Sequence, residues 1–169
     1  RRHLDPIRLE PMIAKPHSPD NRALARELTD VRLTRAYIGS CTGGKITDFV
    51  NAARVLKGRH VAIDTFLVPS TTEVSTGLRT HTIDGRSLLD IFKDAGCQVS
   101  IEASCAACLG GPRDTFGRIN GPEVCISTTN RNFPGRMGSK EGQVYLASPY
   151  TVAASALTGR ITDPREVLQ

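Results

Sequence analysis

From Thr34 onward the chain repeats one kind of unit: a short β-branched or aromatic run, a glycine or proline stop, and a segment with apolar residues at helical spacing. "TRAYIGS" is strand-like and stops at Gly39 and Ser40, and "KITDFVNAARVLKG" places Ile46, Phe49, Val50, Ala53 and Val55 or Leu56 near helical spacing before Gly58. "HVAIDTFLVP" then reads as a buried strand ended by Pro69, "RSLLDIFKDAG" as a helix with Gly96 past its end, and "QVSIE" as a further strand. "STTEVSTGLRTHTIDG" between them has no decided period. "EVCISTT" is strand-like, and "SPYTVAASALTG" is a helix with Ser148 as N-cap, Pro149 at the first helical position and Gly159 past the last turn. Strands alternating with helices cannot pair as hairpins. They predict an α/β fold, three-layer αβα, with a mostly parallel sheet covered on both faces.

The opening differs. Residues 1–33 hold four of the ten prolines and no sustained period, and the chain starts without methionine. They read as a connecting arm from a preceding region of a longer protein, with the α/β domain over 34–169. At 169 residues and 39% hydrophobic content, one domain with a sizeable core is expected. No apolar run approaches the roughly 20 residues that cross a bilayer, so no membrane role is expected. The net charge of +5 is spread along the chain without a basic and aromatic stripe, which argues against nucleic acid and leaves room for anionic small molecules.

In open parallel sheets, ligand sites collect beyond the carboxyl ends of strands. Cys41 falls there, in "IGSCTGGK", and Cys105 and Cys108 follow the "QVSIE" strand in "SCAACLGGP". Five irregularly spaced cysteines do not make a secreted disulfide framework, and a reducing compartment suits them better. A single Cys-x-x-Cys is compatible with a redox dithiol, with half of a zinc site, or with part of an iron–sulfur cluster. Zinc would want four Cys or His ligands, usually as two close pairs, and the dithiol usually precedes a helix near the start of its fold. Three thiolates from two strand ends would suit a four-iron cluster with one iron lacking a protein ligand, an open Lewis acid for a hydroxyl and a carboxylate. Asn130, Arg131 and Arg136 in "STTNRNFPGRMG" follow the next strand and would project from the same edge. Arginine forks there are suited to a di- or tricarboxylate.

Together "EPMIAKPHSPDN", "YIGSCTGGK", "SCAACLGGP" and the run from "TTNRNFPGRMG" to "LTGRITDP" resemble the C-terminal third of the large subunits in the isopropylmalate dehydratase branch of the aconitase superfamily. The resemblance spans nearly the whole chain. It implies an aconitase-like domain in which Cys41, Cys105 and Cys108 hold a 4Fe-4S cluster and Asn130, Arg131 and Arg136 bind substrate carboxylates or support the cluster region. Cys97 and Cys125 match no ligand position and are read as structural. It further implies a hydro-lyase that isomerises 2- and 3-isopropylmalate by dehydration and rehydration in leucine biosynthesis, in a bacterial cytoplasm or plastid stroma. Homoaconitase, aconitase and methylmalate-type dehydratases share these motifs, and a non-catalytic metal-binding module is the reading outside catalysis.

The chain departs from the pattern in two ways. Many members have Ser-Cys-Thr-Asn where this chain has Gly43 after Thr42, which resembles an isopropylmalate-type subgroup. The family's catalytic histidines, acids and amides come from two preceding domains. Its serine base and a further arginine come from a swivelling domain, which in this subgroup is a separate small subunit. No catalytic residue is therefore expected in this chain, which alone is expected to be inactive. The ending "GRITDPREVLQ" resembles a large-subunit terminus.

Overall fold

The computed structural model describes residues 9–168. In chain order the elements are β1 (Met12–Ala14), β2 (Arg22–Leu24), β3 (Arg35–Gly39), α1 (Ser40–Gly43), α2 (Ile46–Leu56), β4 (Asp64–Val68), α3 (Thr72–Thr80), β5 (Thr82–Ile83), β6 (Arg86–Ser87), α4 (Leu88–Asp94), β7 (Gln98–Val99), β8 (Val124–Ser127), β9 (Gln143–Leu146) and α5 (Pro149–Thr158).

One sheet of seven strands runs β2-β1-β9-β8-β3-β4-β7, and β5 pairs only with β6. From β9 to β7 every neighbouring pair is parallel, while β1 joins both β2 and β9 antiparallel. The expected α/β class with a mostly parallel sheet is what the chain adopts. The chain lays β3, β4 and β7 outward on one side, then returns to place β8 and β9 on the other side of β3. The strand order therefore reverses between β3 and β8, where doubly wound sheets open a crevice at their carboxyl ends.

Side-chain alternation divides the interior into two clusters. Ala36, Ile38, Leu67 and Ile126 face the helices, packing with Phe49 and Leu56 of α2, Leu78 of α3, Phe92 of α4 and Val152 of α5. The opposite residues Tyr37, Phe66, Val68, Cys125, Val144 and Leu146 pack under loop residues Ala107, Ile119 and Met137. Helices thus supply one layer, and loops with a 3-10 turn at Ala107–Leu109 supply the other. The helix α5 buries Thr151 to Ala156 without a break, and its alanines and Ser155 admit neighbours on every side. Its ends are as the sequence predicts, with the Ser148 hydroxyl accepting from Thr151 N–H and Gly159 left-handed at φ 73°. Ser87 and Thr71 cap α4 and α3 in the same way.

Three stretches differ from the sequence reading. The undecided 70–85 region forms α3 and half of the small hairpin, and only 64–68 of the "HVAIDTFLVP" run is strand. β9, which completes the parallel set, is four residues long and carried no clear period. The described part of the 1–33 arm does more than connect. Its β1 and β2 extend the sheet edge, with Ile13 only 1% exposed. Three-residue strands flanked by prolines give too short a pattern to read.

Candidate metal and anion site

The turn after β3 is built around one threonine on the neighbouring strand. Thr128, just past β8, accepts at its Oγ1 from Gly39 N–H (2.9 Å), while the Gly39 and Gly43 carbonyls both lie within donating distance of that hydroxyl (3.0 Å each). Gly43 sits directly against it. A Cβ there would stand 2.3 Å from Thr128 Cβ and 2.5 Å from Thr128 O. Gly44 is equally confined, since its Cβ would meet Ser40 O at 2.6 Å. Position 43 therefore has no space for a side chain. Ser40 takes a left-handed φ of 71°, a conformation that costs a non-glycine residue about 1–2 kcal/mol. The turn this produces leaves Cys41 exposed at the crevice. Cys41 lies inside the short α1, and α2 begins only at Ile46, where Asp48 already caps the Lys45 N–H at 3.0 Å.

Cys105 and Cys108 reach the same region over the loop-covered face. Ser104 N–H donates to Pro69 O (3.1 Å) and its hydroxyl accepts from Ala106 N–H (3.1 Å), which leads into the 3-10 turn carrying Cys108. Gly110 closes that turn at φ 67°, and a Cβ on it would lie 3.0 to 3.2 Å from backbone atoms of Gly135, Arg136 and Gly138. Arg118 Nε holds Gly111 O at 2.6 Å. Gly110 thus serves close packing of the cysteine loop on the arginine loop, while a Cβ on Gly111 would meet Ala106 and Thr115.

The loop after β8 holds the three predicted polar residues in different settings. Asn130 and Arg131 are exposed at the crevice. Arg136 is half-buried with Nη2 3.8 Å from Cys108 Sγ, its guanidinium 5.7 Å from the centre of the Phe133 ring, and its buried Nε without a partner. Burial pushes the Cys108 thiol up, the Arg136 charge and hydrogen bond pull it down, and the nearby Cys105 and Cys41 push it up again. The Arg136 guanidinium thus stands at the wall of the Cys108 thiol. Among the described residues, no three His, Cys, Asp or Glu side chains are gathered tightly enough for a single metal ion. Soft sulfur donors drawn from two loops, with an under-satisfied guanidinium beside the buried one, fit an anionic iron–sulfur group.

Cys97 and Cys125 stand apart. Both are buried, and burial raises each thiol to about 12, so they stay protonated. Sequence reasoning passed over Thr128, Tyr37 and Asn132. Asn132 is 1% exposed and its Nδ2 faces Lys15 O (2.8 Å), Val144 O (3.1 Å) and Ala14 O (3.4 Å), fastening the Asn130–Arg131 corner to β1 and β9. A polar residue between two candidate ligands was the only available signal.

Among relatives, the chain is 60% identical over 170 residues to "3-isopropylmalate dehydratase large subunit, chloroplastic" of Arabidopsis thaliana, covering 98% of this chain and 33% of that protein. It is 42% identical to the "3-isopropylmalate dehydratase large subunit" of Pyrobaculum arsenaticum, covering 96% of the chain and 37% of the relative. It is 43% identical to "3-isopropylmalate dehydratase large subunit 1" of Methanopyrus kandleri, covering 98% and 38%. The chain therefore spans little more than a third of the curated relatives it matches. The family description "Aconitase family (aconitate hydratase)" matches residues 15–159, and that match, across most of the chain, makes it a member of the aconitase family.

Proposed function

We propose that this chain is the cluster-bearing C-terminal part of a 3-isopropylmalate dehydratase large subunit, a hydro-lyase that interconverts 2- and 3-isopropylmalate in leucine biosynthesis. The observation that supports the reading is Arg136 Nη2 at 3.8 Å from Cys108 Sγ, with Cys41 exposed on the turn after β3, the strand at which the sheet order reverses. The three thiolates would hold a 4Fe-4S cluster. When bound, that cluster supplies an open iron that polarises the departing hydroxyl. Arg136 would offset the negative charge of the sulfur ligands, which is why its guanidinium lies inward. Asn130 and Arg131, free of the interior, would orient the substrate carboxylates through the rearrangement.

Proton transfer is assigned elsewhere. The partners are the preceding two-thirds of the large subunit and a separate small subunit, and this chain alone binds the cluster weakly and does not turn over. The compartment is a reducing one, a bacterial cytoplasm or a plastid stroma; the chloroplastic name of the Arabidopsis relative supports the latter. No helix of the described chain is long and apolar enough to cross a membrane.

The test combines the full large subunit containing this chain with its small subunit under anaerobic iron and sulfide reconstitution. Isopropylmalate, homoaconitate and methylmalate-type substrates are assayed in parallel. The expected result is a brown complex active on isopropylmalate, with colour and activity both lost in Cys41→Ala. A colourless, zinc-loaded complex, or full activity in Cys41→Ala, would overturn the reading.

A further inference from the structure

Tyr37 is an ill-matched residue for the place it occupies. It is 0% exposed, in the cluster formed by the loop-covered face of the sheet, and its hydroxyl has no hydrogen-bond partner. Buried hydroxyls without partners are rare, because each gives up its hydration for nothing in return. The ring cannot swing away to find one. A Cβ on Gly39 would stand 2.9 Å from Tyr37 Cε1 and 3.0 Å from its hydroxyl oxygen, and a Cβ on Gly117 would stand 2.9 Å from Cε2. Two glycines thus grip the two edges of the ring and aim the phenol along β3 toward Gly39, two residues before Cys41.

The buried cluster that encloses this ring includes Cys125 and Ala107, the latter set between Cys105 and Cys108. Cys125 Sγ lies 3.5 Å from Ile126 O, to which it donates, and its thiol stays protonated. That leaves the sulfur-bearing Cys105–Cys108 loop. Ala107 and Cys108 of this loop are both buried, and Ala107 packs in the same cluster as the ring.

We infer that Tyr37 is a positioning residue whose hydroxyl is held in reserve as a hydrogen-bond donor to a sulfur of the bound cluster at the Cys105–Cys108 loop. The inference rests on the cluster reading proposed above. Arg136 and Tyr37 then address the cysteine loop as two donors, one cationic and half-buried, the other neutral and fully buried. Hydrogen bonds to cluster sulfurs stabilise the more negative, reduced cluster and so raise its potential.

The test uses the full large subunit, reconstituted anaerobically with its small subunit, and compares wild type with Tyr37→Phe, which keeps the ring and removes the donor. Without the cluster, Tyr37→Phe is expected to unfold at an equal or higher urea concentration, because an unpaired buried hydroxyl has been removed. With the cluster, the equilibrium constant for one-electron reduction is expected to fall about tenfold, about 59 mV to more negative potential. Incorporating 3-fluorotyrosine at position 37, a stronger donor of nearly the same shape, is expected to shift the potential the opposite way and does not depend on the phenylalanine variant loading. Unchanged potentials in both forms, or a cluster-free Tyr37→Phe protein that is less stable than wild type, would overturn the inference while leaving the cluster reading intact. Failure of the wild-type protein to take up iron and sulfide would overturn the reading on which it rests.

Discussion

Replacing Gly43 with alanine tests the steric account of the Cys41 turn. The new Cβ would lie 2.3 Å from Thr128 Cβ and 2.5 Å from Thr128 O, and the second of these is backbone that cannot rotate aside. Relief requires the two strand ends to part by about an ångström. Overpacking of this kind costs about 1–3 kcal/mol. Parting the strands also removes the 2.9 Å hydrogen bond from Gly39 N–H to Thr128 Oγ1 and leaves a buried amide unpaired, about another 1–3 kcal/mol. The usual helix-forming gain of glycine to alanine, up to about 1 kcal/mol, acts in the other direction and is smaller. A net loss of about 3 kcal/mol is expected, a large share of the roughly 5–15 kcal/mol of an ordinary domain. Urea unfolding of the full polypeptide reads the total, and hydrogen exchange at Gly39 reads the local opening. Pairing Gly43→Ala with Thr128→Gly removes much of the obstacle and should be less costly than the sum of the two single changes. A loss under about 0.5 kcal/mol with Gly39 still protected, or strictly additive variants, would refute the reasoning.

Asn132→Ala strands the carbonyls of Lys15 and Val144 that Asn132 Nδ2 now serves, and should cost about 2–4 kcal/mol in urea unfolding while lowering protection of Ala14 and Lys15 in hydrogen exchange. Alkali should destabilise the fold through Cys97 and Cys125. Their thiols rise from 9.0 to about 12 on burial, so the folded chain keeps protons that the unfolded chain releases. Their contribution is complete below pH 9 and is lost as pH rises toward 12, about 2 kcal/mol for the pair between pH 9 and 10. Unfolding midpoints of wild type and Cys97→Ala/Cys125→Ala should therefore fall with different slopes over that interval, and equal slopes would count against the assignment.

Much of the architecture was legible because it depends on local pattern. α2, α4 and α5 announce themselves by helical spacing, and α5 also by its cap at Ser148. β3 and β8 announce themselves by β-branched runs that end in small or polar residues. β1, β2 and β9 did not, because a strand of three or four residues owes its existence to the partners it meets. The same division holds at the site. Cys41, Cys105, Cys108, Asn130, Arg131 and Arg136 were visible as residue types placed after strands. Thr128, Asn132 and Tyr37 were not, since a threonine, an asparagine or a tyrosine acquires its role only from what lies across from it.

The sequence by itself therefore determined which segments become strands and helices, and which thiols and arginines stand at their ends. Those choices follow from periodicity and turn chemistry within a few residues. Tertiary structure alone decided that Arg136 lies against Cys108 twenty-eight positions earlier, that Gly43 yields its space to Thr128, and that the Tyr37 hydroxyl lies buried without a partner in the cluster that holds Ala107 of the cysteine loop. The physical reason is range: hydrogen bonds and packing contacts extend only a few ångströms, so roles made of contacts between distant segments exist only once the sheet has reversed its order and set β3 beside β8.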